Sequence, residues 1–93
     1  MAQIIDIKRI RLEPSFEPSM KSLMRIMKAM TENGAKGKTQ LSLHTNLNYA
    51  RLAKHIAWLE KKGFVESAIE DNKINVALTK SGREFASTIS KIS

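Results

Sequence analysis

The sequence predicts a small, mainly α domain with a single β-hairpin, an α+β chain of four helices. Three observations predict it. Residues 38–65, KTQLSLHTNLNYARLAKHIAWLEKKGFV, read as two short helices joined by a tight turn, the second stopped by Gly63. Behind that glycine the apolar period changes from 3.6 to 2, on either side of a turn at Asp71-Asn72-Lys73. Finally, 93 residues suffice for one modest core, and with no cysteine that core is stapled by no disulfide.

In chain order, Ile4, Ile5, Ile7, Ile10 and Leu12 form a β-branched, strand-prone arm whose alternation breaks between Ile7 and Ile10. Pro14 and Pro18 punctuate the following loop, so residues 1–18 are set apart as an arm and 19–93 as the domain. The first helix is predicted from about Ser19 to Asn33. Its core stripe is Met20, Leu23, Met24, Met27 and Met30, with Ile26 to one side, and Gly34 closes it. A short connector, Ala35 to Lys38, leads to Thr39 as the cap of a helix through His44, with Leu41 and Leu43 available for packing.

The third helix, predicted from Tyr49 to Lys62, has its own start signal in Asn48, whose side-chain oxygen can take up a first-turn amide. Leu47 sits just before that cap. Leu52, Ile56 and Leu59 make the buried stripe, leaving Arg51, Lys54, His55, Lys61 and Lys62 on other faces. The hairpin spans about residues 64–78, with Phe64, Val65, Ala68 and Ile69 in one strand and Ile74, Val76 and Leu78 alternating in the other. Thr79 caps a last helix over residues 80–92, where Phe85, Ile89 and Ile92 share a side and Gly82 or Ala86 allows close approach. Helix, helix, helix, hairpin, helix is the order of a winged helix-turn-helix domain.

Net charge is +7, and its distribution is more informative than its size. From Ser19 to Lys62 stand Lys21, Arg25, Lys28, Lys36, Lys38, Arg51, Lys54, Lys61 and Lys62 against Glu32 and Glu60, so the helical half alone equals the whole surplus. Residues 1–18 balance. Residues 63–78 are net negative, with Lys73 against Glu66, Glu70 and Asp71. Such concentration favours a polyanion docking on one face, although basic side chains also simply solvate helices.

Other chemistries find little support. His44 and His55 lack a companion cluster at ligand spacing, so no metal site or catalytic centre is expected, and both read as solvated or hydrogen-bonding side chains. Gly34, Gly37 and Lys38 lack the full phosphate-binding loop pattern, so nucleotide hydrolysis is not expected. No apolar run approaches the roughly 20 residues that span a bilayer. Trp58 lies off the buried stripe of its helix, which points to packing at the core margin, under the arm or at a subunit interface.

The chain resembles the small archaeal winged helix-turn-helix DNA-binding proteins, which include dimeric chromatin-type proteins and transcriptional regulators. The residues that carry the resemblance are Gly34-Ala35-Lys36, Thr39, Asn46-Leu47-Asn48-Tyr49, Leu52, Leu59-Glu60-Lys61-Lys62-Gly63-Phe64-Val65 and Leu78-Thr79-Lys80-Ser81-Gly82-Arg83-Glu84-Phe85. Two departures stand out: the last helix is short for the long antiparallel coiled coil of some members, and the N-terminal arm is additional.

The resemblance implies binding of double-stranded DNA as a homodimer, with Asn48, Tyr49, Arg51, Lys54 and His55 at the major groove. Arg51 is the best base reader, because guanidinium meets guanine O6 and N7 bidentately. Lys54, with Lys36 or Lys38, suits phosphates, and Thr39 and Gln40 can offer helix N-terminal amides to another. Tyr49 serves equally for contact or packing. Lys73 and Asn72 stand at the hairpin tip, where the neighbouring carboxylates oppose a phosphate contact. The expected protein is thus a cytoplasmic, nucleoid-associated DNA binder or transcriptional regulator, not an enzyme, without cofactor or membrane. The alternative is a winged helix serving as a protein interaction module in a transcription or chromosome-maintenance assembly.

Overall fold

The computed structural model describes residues 16–34 and 36–92. The strand-prone arm from Ile4 to Leu12, and Ala35 in the connector, lie outside the described residues. The elements are α1 (Met20–Asn33), α2 (Lys38–Thr45), α3 (Tyr49–Lys61), β1 (Val65–Glu70), β2 (Lys73–Leu78) and α4 (Lys80–Ile92). This is the winged helix-turn-helix order.

Each boundary has a local chemical cause. Ser19 caps α1 by accepting the Ser22 amide at 3.2 Å, and Asn48 caps α3 by accepting the Arg51 amide at 2.8 Å. Between α2 and α3, Asn46 takes the left-handed conformation (φ 59°) while the Ser42 hydroxyl donates to the Leu47 carbonyl at 2.6 Å. This fixes the tight turn. Gly63, at φ 82°, ends α3: its amide donates to Glu60 O and that of Phe64 to Leu59 O, the paired closure that a side chain at this φ would strain. One cap differs from expectation. The cap of α2 is Gly37 rather than Thr39, so it supplies no side-chain acceptor to the first-turn amides.

The wing is an antiparallel hairpin in the register Val65↔Leu78 through Glu70↔Lys73. Asp71 and Asn72 both have positive φ, 51° and 64°, the conformation that matches the twist of the strands in a two-residue hairpin turn. Lys36, in the connector, exchanges amide and carbonyl with Val76 on the far side of β2, at 3.1 and 2.8 Å. Among the described residues β2 is thus central, and β1 is an edge.

The core joins Leu23, Ile26, Met27 and Met30 of α1, Leu41 of α2, Leu52, Ile56 and Leu59 of α3, Val65 and Val76 of the wing base, and Ile89 of α4. Burying each of the large aliphatic side chains stabilises the fold by about 1.5–3 kcal/mol. The face of α1 is rotated from the expected stripe: Ile26 is fully buried, whereas Met20 is exposed and Met24 half-buried. Leu43, expected to pack, is 77% exposed, because α2 turns Leu41 and Thr45 inward. Phe85 of α4 stacks on Phe64 at 4.3 Å, and Trp58 tilts against Phe64 at 6.4 Å with Lys62 Nζ 5.6 Å from its ring centre. Trp58 therefore packs at the core margin.

Backbone approach locks α4 to the wing. The Thr79 hydroxyl donates to Gly63 O at 2.6 Å and accepts the Gly82 amide at 3.0 Å. A Cβ built on Gly82 would stand 1.8 Å from the Phe64 carbonyl oxygen, so only glycine fits there.

Candidate nucleic-acid interface

The helix-turn-helix presents its outer surface from α2 and α3. With Leu52, Ile56 and Leu59 wholly buried, helical spacing turns Arg51 and Lys54 outward, and both are exposed. Asn48 is exposed at the cap, and Tyr49 is 52% exposed, which frees much of its ring and leaves it outside the core cluster. Thr39 and Gln40 are exposed in the first turn of α2. Lys36 and Lys38 are half-buried beside them. Neither α2 nor α3 has an acidic residue in its first turn, so the positive ends of both helix dipoles stay uncompensated by carboxylates on their own helices.

His55 departs from the position expected for it. It is only 4% exposed, and both ring nitrogens are engaged. Nε2 accepts the Ser19 amide at 3.0 Å, which places the ring hydrogen on Nδ1, where it donates to the Arg51 carbonyl at 2.8 Å. The Phe16 ring meets it edge-on at 5.4 Å. Covered this way, His55 has no free nitrogen for a base or a phosphate. It instead ties the start of α1 to α3.

That tie shapes a cleft of about 420 Å³, with Phe16, Glu17 and Ser19 on one wall and Asn48, Arg51 and Lys54 on the other. Sequence reasoning missed this wall. Its only signal was Phe16, an aromatic residue between two prolines. Lys73 is exposed where β2 begins, beyond the positive-φ pair of the turn, and Glu66, Glu70 and Asp71 are exposed around it. The wing therefore presents the opposite sign to α3.

A second concavity, of about 890 Å³, opens between α1, α4 and β2. Met24, Met27, Leu78 and Ile89 floor it, and Arg25, Lys28 and Arg83 are among its lining residues. Among the described residues no group of His, Cys, Asp or Glu could hold a metal ion, and no helix is long and apolar enough to cross a membrane.

Among solved structures, Sso10a-2, a DNA-binding protein from Sulfolobus solfataricus, is similar with a TM-score of 0.72 at 18% identity, over 82% of this chain and 78% of that one. A MarR family transcriptional regulator from Silicibacter pomeroyi is similar with a TM-score of 0.73 at 19% identity, over 80% of this chain and 51% of that one. AF1382 from Archaeoglobus fulgidus gives 0.64 at 20% identity, over 78% and 80%. At these identities the likeness concerns the fold, and the chain spans about half the length of the MarR family regulator. Comparison with curated proteins gave no match. The winged helix-turn-helix family matches residues 19–93, and it is to this family that the chain belongs.

Proposed function

We propose that this chain binds duplex DNA as a transcriptional regulator or nucleoid-associated protein of the cytoplasm, with residues 19–93 as the DNA-binding domain and α3 in the major groove. One observation carries the reading: an Asn48-capped helix displays exposed Tyr49, Arg51 and Lys54 from a fully buried apolar face, in the half of the chain that holds the whole basic surplus. Arg51 reads a base, Lys54 and Lys38 meet phosphates, and the amides at Thr39 and Gln40 meet another. The DNA-binding and regulatory names of the similar structures support the same reading. A two-fold site needs two such helices about 34 Å apart, so the working form is a homodimer. The N-terminal arm and α4 are the two surfaces through which copies could pair, and the apolar groove beside α4 is open to a second copy.

A salt titration on random and selected duplexes tests this. Affinity should fall steeply, with a log-log slope of about −0.9 for each phosphate neutralised. Undetectable binding at low salt would instead favour the protein interaction module, which the acidic wing and its exposed Ile69 and Ile74 fit better. Light scattering at micromolar concentration should report a dimer, and a monomer would remove that part of the reading.

A further inference from the structure

The cleft beside α3 holds one carboxylate that the roles given to Arg51 and Lys54 leave unused. Glu17 is exposed there and lines the cleft together with Asn48, Arg51 and Lys54. Contacts on both sides set its place. The Phe16 ring meets His55 edge-on at 5.4 Å, the Ser19 amide donates to His55 Nε2 at 3.0 Å, and His55 Nδ1 donates to the Arg51 carbonyl at 2.8 Å. Pro18, directly after Glu17, removes further backbone freedom. One buried ring thus keys Glu17 to the turn of α3 that carries Arg51.

A carboxylate beside DNA is a liability against phosphates, because like charges repel. Its suitable partners in the major groove are the exocyclic amino groups of cytosine and adenine. The neighbouring guanidinium chooses between them. A G·C pair presents N7 and O6 as adjacent acceptors with the cytosine N4 donor next in line, which matches a fork of donors with an acceptor at its side. An A·T pair sets its donor between two acceptors, so the fork finds one acceptor and then meets an amino group. Other acceptors at the cleft are already engaged: Asn48 Oδ1 takes the Arg51 amide at 2.8 Å and Ser19 Oγ the Ser22 amide at 3.2 Å.

We propose that Glu17 is a second base reader, accepting from cytosine N4 in the G·C pair whose guanine Arg51 reads. It acts as much by rejection as by attraction. Any pair that turns O4 or O6 toward Glu17 sets an acceptor against a desolvated carboxylate and leaves that charge without a partner. A loop outside the helix-turn-helix therefore narrows what the helix accepts.

The inference rests on α3 lying in the major groove, and its test separates the two. The full chain and its Glu17→Ala variant are each bound to a pool of randomised duplexes, and the bound sequences are counted. The native chain should hold one G·C position, and Glu17→Ala should lose about fivefold or more of the discrimination there. Because Glu17 is exposed, the denaturant midpoint should not move. The selected site is then made with N4-methylcytosine at that position, where the methyl group displaces the major-groove hydrogen. Affinity of the native chain should fall by a similar factor, and that of Glu17→Ala should not. Undetectable binding to any duplex would overturn this inference together with the DNA reading. Binding in which Glu17→Ala keeps the native preference, or in which N4-methylation weakens both chains equally, would overturn it alone. So would a uniform gain in affinity for all sequences, which sets the carboxylate against phosphates.

Discussion

α3 and the wing meet at Gly63, yet they are built on opposite plans. α3 sets Arg51 and Lys54 on a face whose underside, Leu52, Ile56 and Leu59, is wholly buried. Among the described residues the wing is anchored at its base, by Val65, Val76 and the Phe64–Phe85 stack, and extends an acidic ribbon with exposed isoleucines. One surface is held in place by a core and carries positive charge. The other projects beyond the core and carries negative charge. Charge alone does not sort the functional surfaces of this domain; what lies beneath each charge decides how accurately it can be presented.

The contrast breaks most completely at the junction of the two regions. Gly82→Ala forces a Cβ against the Phe64 carbonyl and should destabilise the protein by about 1–3 kcal/mol or more, read from the denaturant midpoint. Next in size come the α3 cations. Arg51→Ala should cost about 1–3 kcal/mol in affinity and relax base discrimination, whereas Lys54→Ala should weaken all duplexes alike and lower the salt slope by about 1. Equal and negligible effects would remove α3 from the interface. The smallest effect belongs to the wing tip: Asp71→Asn keeps a residue that tolerates positive φ, and should change stability by less than about 0.5 kcal/mol. If the tip lies near phosphates, low-salt affinity should rise, and an unchanged affinity would place it away from DNA.

Much of the fold was legible because nearly every boundary has local chemistry. Ser19, Asn48 and Thr79 accept first-turn amides, Gly63 closes α3, and Asp71-Asn72 makes the two-residue turn. What escaped is tertiary. The period of α1 leaves two adjacent faces open, one through Met20 and Met24 and one through Ser22, Ile26 and Ala29, and the fold buries the second. His55 read as a solvated or groove-facing side chain because its cover, Phe16 and Ser19, lies 39 and 36 residues away in sequence. The basic half of the site was written in the composition. Its wall at Phe16 and Glu17 was not, since only the fold brings that loop to α3.

The contact between Gly82 and Phe64 also has a mechanical meaning. A β-ribbon of six residues reaches about 17 Å from its root. Over that length a tilt of only about 5° at the root displaces the tip by about 1.5 Å, half the length of a hydrogen bond. With backbone set directly against backbone and no side chain between, the root has almost no play. The wing then works as a stiff lever whose aim is set at the root by a single missing methyl group.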